Sequence, residues 1–110
     1  KLKNKVDKSI IITKPLDYLD FLFLMKNCRI VFTDSGGIQE ESSILGIPCI
    51  TIRSSTERQI TINHKVNIMT GYNQKKIIIA VRKFYNIKIK KLNLFGDGKV
   101  ANKIYKFLKN

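Results

Sequence analysis

The chain has 110 residues, 44% of them hydrophobic, which suffices for one small domain with a core and is too short for two. Its 21 basic against 8 acidic side chains give a formal charge of +13, a balance that suits nucleic acid, an anionic membrane or a phosphorylated ligand. The distribution argues against the first two: lysines are spread along the whole length without interleaved aromatic rings to stack bases, and no apolar run approaches the roughly 20 residues of a membrane span. No signal-peptide pattern opens the chain, so a cytoplasmic protein is expected. Lys1 stands where a Met would begin a complete chain, and the sequence reads as a fragment or a separately encoded half of something longer. Cys28 and Cys49 lie in apolar stretches without disulfide or metal-ligand spacing, and read as buried free thiols.

Ser9 to Thr13 is a β-branched run of the kind found in buried parallel strands, stopped by Pro15. From Asp17 to Asn27, Leu19, Phe21, Leu22, Leu24 and Met25 recur at helical spacing, with Asp17 placed to cap the start. Arg29 to Thr33 is the next strand. It runs into Asp34-Ser35-Gly36-Gly37, where two glycines let the backbone turn tightly into a helix from about Gly37 to Leu45, ended by Gly46. Pro48 to Ile52 is a third strand. A polar stretch from Arg53 to Arg58, a short helical piece, a brief strand around Val66 to Met69 and Gly71 follow. Asn73 to Tyr85 carries Ile77, Ile78, Val81 and Phe84 on one face and lysines on the other, a surface helix packed on a core. After Gly96-Asp97-Gly98, Val100, Ile104, Phe107 and Leu108 mark a terminal helix. Strands alternating with helices predict an α/β fold with a parallel, Rossmann-like sheet.

In such a sheet ligands bind beyond the carboxyl ends of the strands, and Asp34 to Gly37 is one of those tips. The glycines allow close approach, amides at the helix start donate to phosphate oxygens, and the helix dipole favours an anion. Ser35 adds a hydroxyl. Glu41, about one turn into the same helix, is placed to accept from a sugar diol. The bland alternatives are a plain tight turn, and dipole complementation by Glu40 and Glu41. Arg53-Ser54-Ser55-Thr56-Glu57-Arg58 follows the third strand at the same sheet edge, and the Arg58 guanidinium suits a diphosphate. Its alternative is a solvated loop in which Glu57 and Arg58 pair. The single histidine, His64, has no partner at ligand spacing and is assigned no role. No catalytic set, metal cluster or dinucleotide fingerprint is present.

Pro15-Leu16-Asp17-Tyr18-Leu19-Asp20-Phe21, Thr33 to Glu41, Arg53 with Thr56-Glu57-Arg58, and Phe95-Gly96-Asp97-Gly98 together resemble, in order and spacing, the last third of the non-hydrolysing UDP-N-acetylglucosamine 2-epimerases. The resemblance covers nearly the whole chain. It implies the later part of the C-terminal domain of a GT-B fold, residues 1–110 forming a single partial domain, in an enzyme that interconverts UDP-GlcNAc and UDP-ManNAc without metal or nicotinamide. It places Ser35, Gly36 and Gly37 on the diphosphate, Glu41 on the ribose hydroxyls, Arg58 on the UDP moiety, and Phe21 and Leu16 around the uracil. It implies UDP or UDP-GlcNAc and an N-terminal half as partners, with a homo-oligomer possible. The family's acid–base carboxylates and a histidine belong to segments this chain lacks, so no catalytic residue is assigned and the chain alone is expected to be inactive. A split or degenerate UDP-binding subunit and part of a GT-B glycosyltransferase are the other readings. Leu16 replaces a residue often polar in the family, leaving only a backbone contact to the base. Gln59 replaces the usual proline and Lys65 falls where glycine is common. Without a first half, uncovered apolar faces are expected to drive self-association.

Overall fold

The computed structural model describes residues 7–85, 87, 89 and 100–109. In chain order these form α1 (Tyr18–Asn27), β1 (Val31–Thr33), α2 (Gly36–Leu45), β2 (Cys49–Thr51), α3 (Gln59–Asn63), β3 (Asn67–Met69), α4 (Gln74–Tyr85) and α5 (Val100–Lys109). The strands make a parallel three-stranded sheet in the order β1-β2-β3. Its register sets Val31, Cys49 and Asn67 in one row, Phe32, Ile50 and Ile68 in the next, and Thr33, Thr51 and Met69 at the carboxyl ends. The α/β reading therefore holds, with Ser35, Gly36 and Gly37 just beyond the carboxyl end of β1.

Because side chains alternate along a strand, the two faces of this sheet are chemically different. The middle row faces α4, where fully buried Ile50 packs on Ala80 and Phe84, flanked by Ile30, Ile68 and Val81. The outer rows carry Thr51 and Asn67 toward α2 and α3, and that face is polar: Gln39, Ser42, Thr51, Thr61 and Asn67 are all buried. Ser42 and Ser43 donate to the carbonyls of Gln39 (3.1 Å) and Glu40 (2.6 Å), so their small side chains satisfy themselves and let α2 lie close to the strands.

Local chemistry accounts for the helix ends. Asp17 caps α1 by accepting from the Asp20 amide at 2.9 Å. Gly46 closes α2 in the left-handed region (φ 76°), its amide donating back to Ser42 and Ser43. Three expectations are corrected. Ser9 to Thr13 is not a strand: it is paired with no described strand, Ile11 is 85% exposed, and the chain instead makes a turn in which the Ile10 amide donates to the Asp7 carbonyl. Strand character in the residues cannot substitute for a neighbour's hydrogen bonds. The inward face of α4 is rotated, so that Ala80 joins Phe84 in the core while Ile78 is 42% exposed. Arg29 precedes β1 rather than joining it, its guanidinium lying 4.9 Å from the centre of the Tyr85 ring. Gly96-Asp97-Gly98 lies outside the described residues.

Leu19, Phe23 and Leu24 on α1, and Ile104, Phe107 and Leu108 on α5, are exposed. No helix among the described residues is long and apolar enough to cross a membrane.

Lys65 is the one described non-glycine residue with positive φ, at 61°. It follows His64, the C-cap of α3, and its own amide donates to the Ile62 carbonyl while that of Val66 donates to Thr61. An L-residue there costs about 1–2 kcal/mol, of which glycine's greater unfolded freedom offsets roughly 0.5–1. Lys65→Gly is therefore expected to raise the thermal midpoint by a few degrees; an unchanged or lower midpoint in a calorimetric scan would show that the turn is unstrained.

Candidate functional site

β1 delivers the chain to the site. Its last residue, Thr33, is buried and its hydroxyl oxygen accepts from the Ser35 amide at 3.0 Å, which orients the two residues leading into α2. Ser35 occupies the N-cap position in an extended conformation, but its side chain makes no capping hydrogen bond. The first-turn amides of α2 have no partners within the helix and point at the space beyond the strand ends.

The role of the two glycines is not the one read from the sequence. Among the described glycines only Gly46 and Gly71 have positive φ, so Gly36 and Gly37 do not make a left-handed turn. Gly36 gives close approach instead: a Cβ there would stand 3.3 Å from Cζ and Nη2 of Arg58, tight enough that the guanidinium would have to shift. At Gly37 the nearest such atom is Ser35 Oγ at 3.9 Å, and a methyl group fits. The Arg58 guanidinium thus rests on the first residue of α2, joining a fixed positive charge to the positive end of the helix.

Three contacts hold Arg58. Its Nε forms a charge pair with Glu40 Oε1, both side chains about one-third exposed at 30% and 33%, without an aligned N–H···O bond. Its amide donates to Thr56 Oγ1 at 3.0 Å, and its carbonyl accepts from Thr61 Oγ1 at 2.7 Å. The alternative pairing of Glu57 with Arg58 is not found. Glu57 meets Arg53 at 3.6 Å, and Arg53 Nη1 also donates to the Asp34 carbonyl at 3.5 Å, bringing a second guanidinium to the same turn.

Glu41 lies on the same helix and accepts from the Tyr18 hydroxyl at 3.2 Å. That hydrogen bond and the carboxylate's charge push the Tyr18 phenol above its ordinary range. Tyr18 escaped the sequence reading because nothing local links positions 23 residues apart. Glu40 was read only as dipole complementation for the same reason, Arg58 lying on a distant loop. Leu16 and Phe21 line a separate cleft of about 550 Å³, shared with Lys14, Met25, Phe32 and Ile38. Ile38 ties this cleft to α2, but Ser35, Gly36, Glu41 and Arg58 do not line it.

Other chemistry has little support. Burial pushes the Cys28 and Cys49 thiols up, so the thiolate is scarce at neutral pH. His64 is an exposed residue ending α3. Among the described residues no three His, Cys, Asp or Glu side chains gather to hold a metal ion. What the site can do is bind an anion at α2 and a hydroxyl-rich group beside Glu41.

The glycine geometry gives a direct test. Gly36→Ala is expected to displace the guanidinium and weaken pyrophosphate binding by about tenfold, whereas Gly37→Ala stays within about threefold. Equal effects of the two substitutions in an NMR titration would count against the stacked arrangement.

A family model described as UDP-N-acetylglucosamine 2-epimerase matches residues 1–109. The UDP-N-acetylglucosamine 2-epimerase of Methanocaldococcus jannaschii is 46% identical over 106 residues, 96% of this chain and 29% of that protein. The crystal structure of that organism's enzyme in complex with UDP-GlcNAc and UDP superposes with a TM-score of 0.87, covering 97% of this chain and 30% of that one. A structure described as a UDP-N-acetylglucosamine 2-epimerase from Listeria monocytogenes, 31% identical, superposes at 0.80 over 94% of this chain and 30% of its own. The chain thus spans about three-tenths of the length of these relatives.

Proposed function

The chain belongs to the UDP-N-acetylglucosamine 2-epimerase family, and we propose that it forms the UDP-binding later part of the C-terminal domain of a GT-B enzyme that interconverts UDP-GlcNAc and UDP-ManNAc. The observation that carries this reading is the Arg58 guanidinium resting on Gly36 at the start of α2, with the Glu41 carboxylate about one turn further along the helix. The Ser35 hydroxyl, the amides of Gly36 and Gly37 and the Arg58 side chain hold the diphosphate; Glu41 accepts from the ribose hydroxyls; Phe21 and the backbone of Leu16 border the uracil. The separation between the polar site and the cleft of Leu16 and Phe21 suits a ligand with a charged middle and a flat, weakly polar end.

These positions have a chemical purpose in the reaction. Eliminating UDP removes the proton at sugar C2 and breaks the bond from C1 to the phosphate oxygen, leaving a 2-acetamidoglucal; adding UDP back with protonation of the opposite face inverts C2. Negative charge grows on the departing diphosphate as that bond breaks. A guanidinium and a helix start fixed beforehand stabilise it there, and they keep UDP in place for re-addition. The groups that move the C2 proton come from the N-terminal half. The exposed apolar residues of α1 and α5 fit a surface covered by that half or by a second copy in an oligomer. Two free thiols suit the reducing cytoplasm. A GT-B glycosyltransferase, which shares the glycine-plus-glutamate site, is disfavoured by the family match along residues 1–109.

Calorimetric titration with UDP tests the reading. Binding is expected, weakened at least about tenfold by Arg58→Ala or Glu41→Ala, as when a charged hydrogen-bonding partner is removed. UDP affinity untouched by either substitution would reject the assignment. The chain alone is expected to leave UDP-GlcNAc unchanged, and turnover by the purified polypeptide would contradict the division of labour.

A further inference from the structure

We propose that Gln39, Thr56, Thr61 and Asn67 form a positioning relay that locks the backbone of Arg58, and through it the guanidinium, over the amino end of α2; the inference rests on the reading of Arg58 as a diphosphate ligand. The residues come from α2, the loop after β2, α3 and β3, and meet only in the folded chain. Gln39 and Thr61 are 0% exposed and Asn67 2%.

The protons in this cluster can run one way only. Thr61 gives its hydroxyl proton to the Arg58 carbonyl (2.7 Å), so its oxygen must accept from Asn67 Nδ2 (3.0 Å). Asn67 therefore presents its amino group to Gln39 as well, and Gln39 must answer with its carbonyl oxygen, at 3.1 Å. The other side of Asn67, Oδ1, accepts from the Thr51 hydroxyl at 2.7 Å. Gln39 Oε1 also takes the proton of Thr56 (2.7 Å), which leaves the Thr56 oxygen to accept the Arg58 amide at 3.0 Å. Both backbone groups of Arg58 thus end on hydroxyls whose own orientation is dictated by two buried carboxamides. Among the described residues Gln39 Nε2 has no hydrogen-bond partner, so the glutamine commits its oxygen to the relay and leaves its amino group without one there. A helix that needed only to pack would be better served by an apolar residue at this position.

These are positioning residues, and the test must separate that role from general stability. Thr56→Val keeps the shape of a half-buried side chain and deletes the hydroxyl. Asn67→Asp keeps shape too, but sets a carboxylate oxygen against the Gln39 and Thr61 oxygens. Both are expected to weaken UDP binding about tenfold and to shift the Arg58 Nε–H NMR resonance toward that of a solvent-exposed arginine, with Thr56→Ser restoring both. In an Arg58→Ala background Thr56→Val is expected to cost no further affinity. Should Asn67→Asp fail to fold, Thr56→Val carries the test. A Thr56→Val protein with wild-type affinity and an unmoved Arg58 resonance overturns the relay, as does an equal loss in the Arg58→Ala background. If Arg58→Ala itself leaves UDP affinity unchanged, the diphosphate reading fails instead, and the Arg58 resonance in Thr56→Val alone decides the relay.

Discussion

A polar side chain removed from water loses hydrogen bonds that the protein must replace, and the face between α2 and the sheet replaces them for all of its linked amide and hydroxyl groups but the Gln39 amino group. Gln39 and Asn67 are amides with no access to solvent, facing one another across the helix–sheet boundary. Thr51 fixes one side of Asn67; Thr56 and Thr61 complete the set. Distances between α2, β2, α3 and β3 are therefore set by hydrogen-bond lengths, which tolerate far less variation than contacts between aliphatic groups. The opposite face, where Ile50 packs on Ala80 and Phe84, supplies the apolar burial that holds α4 in place without specifying direction. One side of the sheet thus contributes cohesion and the other alignment, and the candidate site lies at the end of the aligned side.

Gly36 is the point where this alignment becomes accessible to a ligand. A helix start attracts anions through its unpaired amides, and an arginine attracts them through its charge; the two reinforce one another only when they share the same few ångströms. With a hydrogen at Gly36 in place of a side chain, the guanidinium lies directly on the helix end. The glycine serves close packing between a helix and a distant loop rather than the turn it belongs to.

This distinction explains what could be read from the residues. Helical and strand periodicity, the Asp17 cap, the Gly46 stop and the clustering of Ser35, Gly36 and Glu41 at one sheet edge follow from interactions within a dozen residues, and they were legible. The resemblance to a family extended that reading to the ligand class. The partners of Arg58 were not legible, because Glu40, Thr61 and the carboxamides behind them come from separate elements. Ser9 to Thr13 misled for a related reason: β-branched residues signal a strand, but a strand exists only beside another. Ile78 misled because an apolar run on a helix fixes its hydrophobic face only to within a residue, and small Ala80 fitted the core beside Ile50 better.

Glu40 and Glu41 show how neighbouring positions on one helix serve different ends. Successive helical residues diverge by about 100°, so one carboxylate reaches the Arg58 loop and the other turns to Tyr18 on α1. Glu40 has a price: it partly neutralises the guanidinium on which anion binding depends. Because the pair is about one-third exposed, solvent weakens that attraction to the modest level of a surface salt bridge. A diphosphate brings more charge than a single carboxylate and meets the helix amides as well, so it can compete for the arginine's remaining donors without displacing Nε. Glu40 therefore restrains the side chain before the ligand arrives, while the buried amides restrain its backbone, and the entropy of ordering a long, flexible arginine is lost on folding rather than on binding.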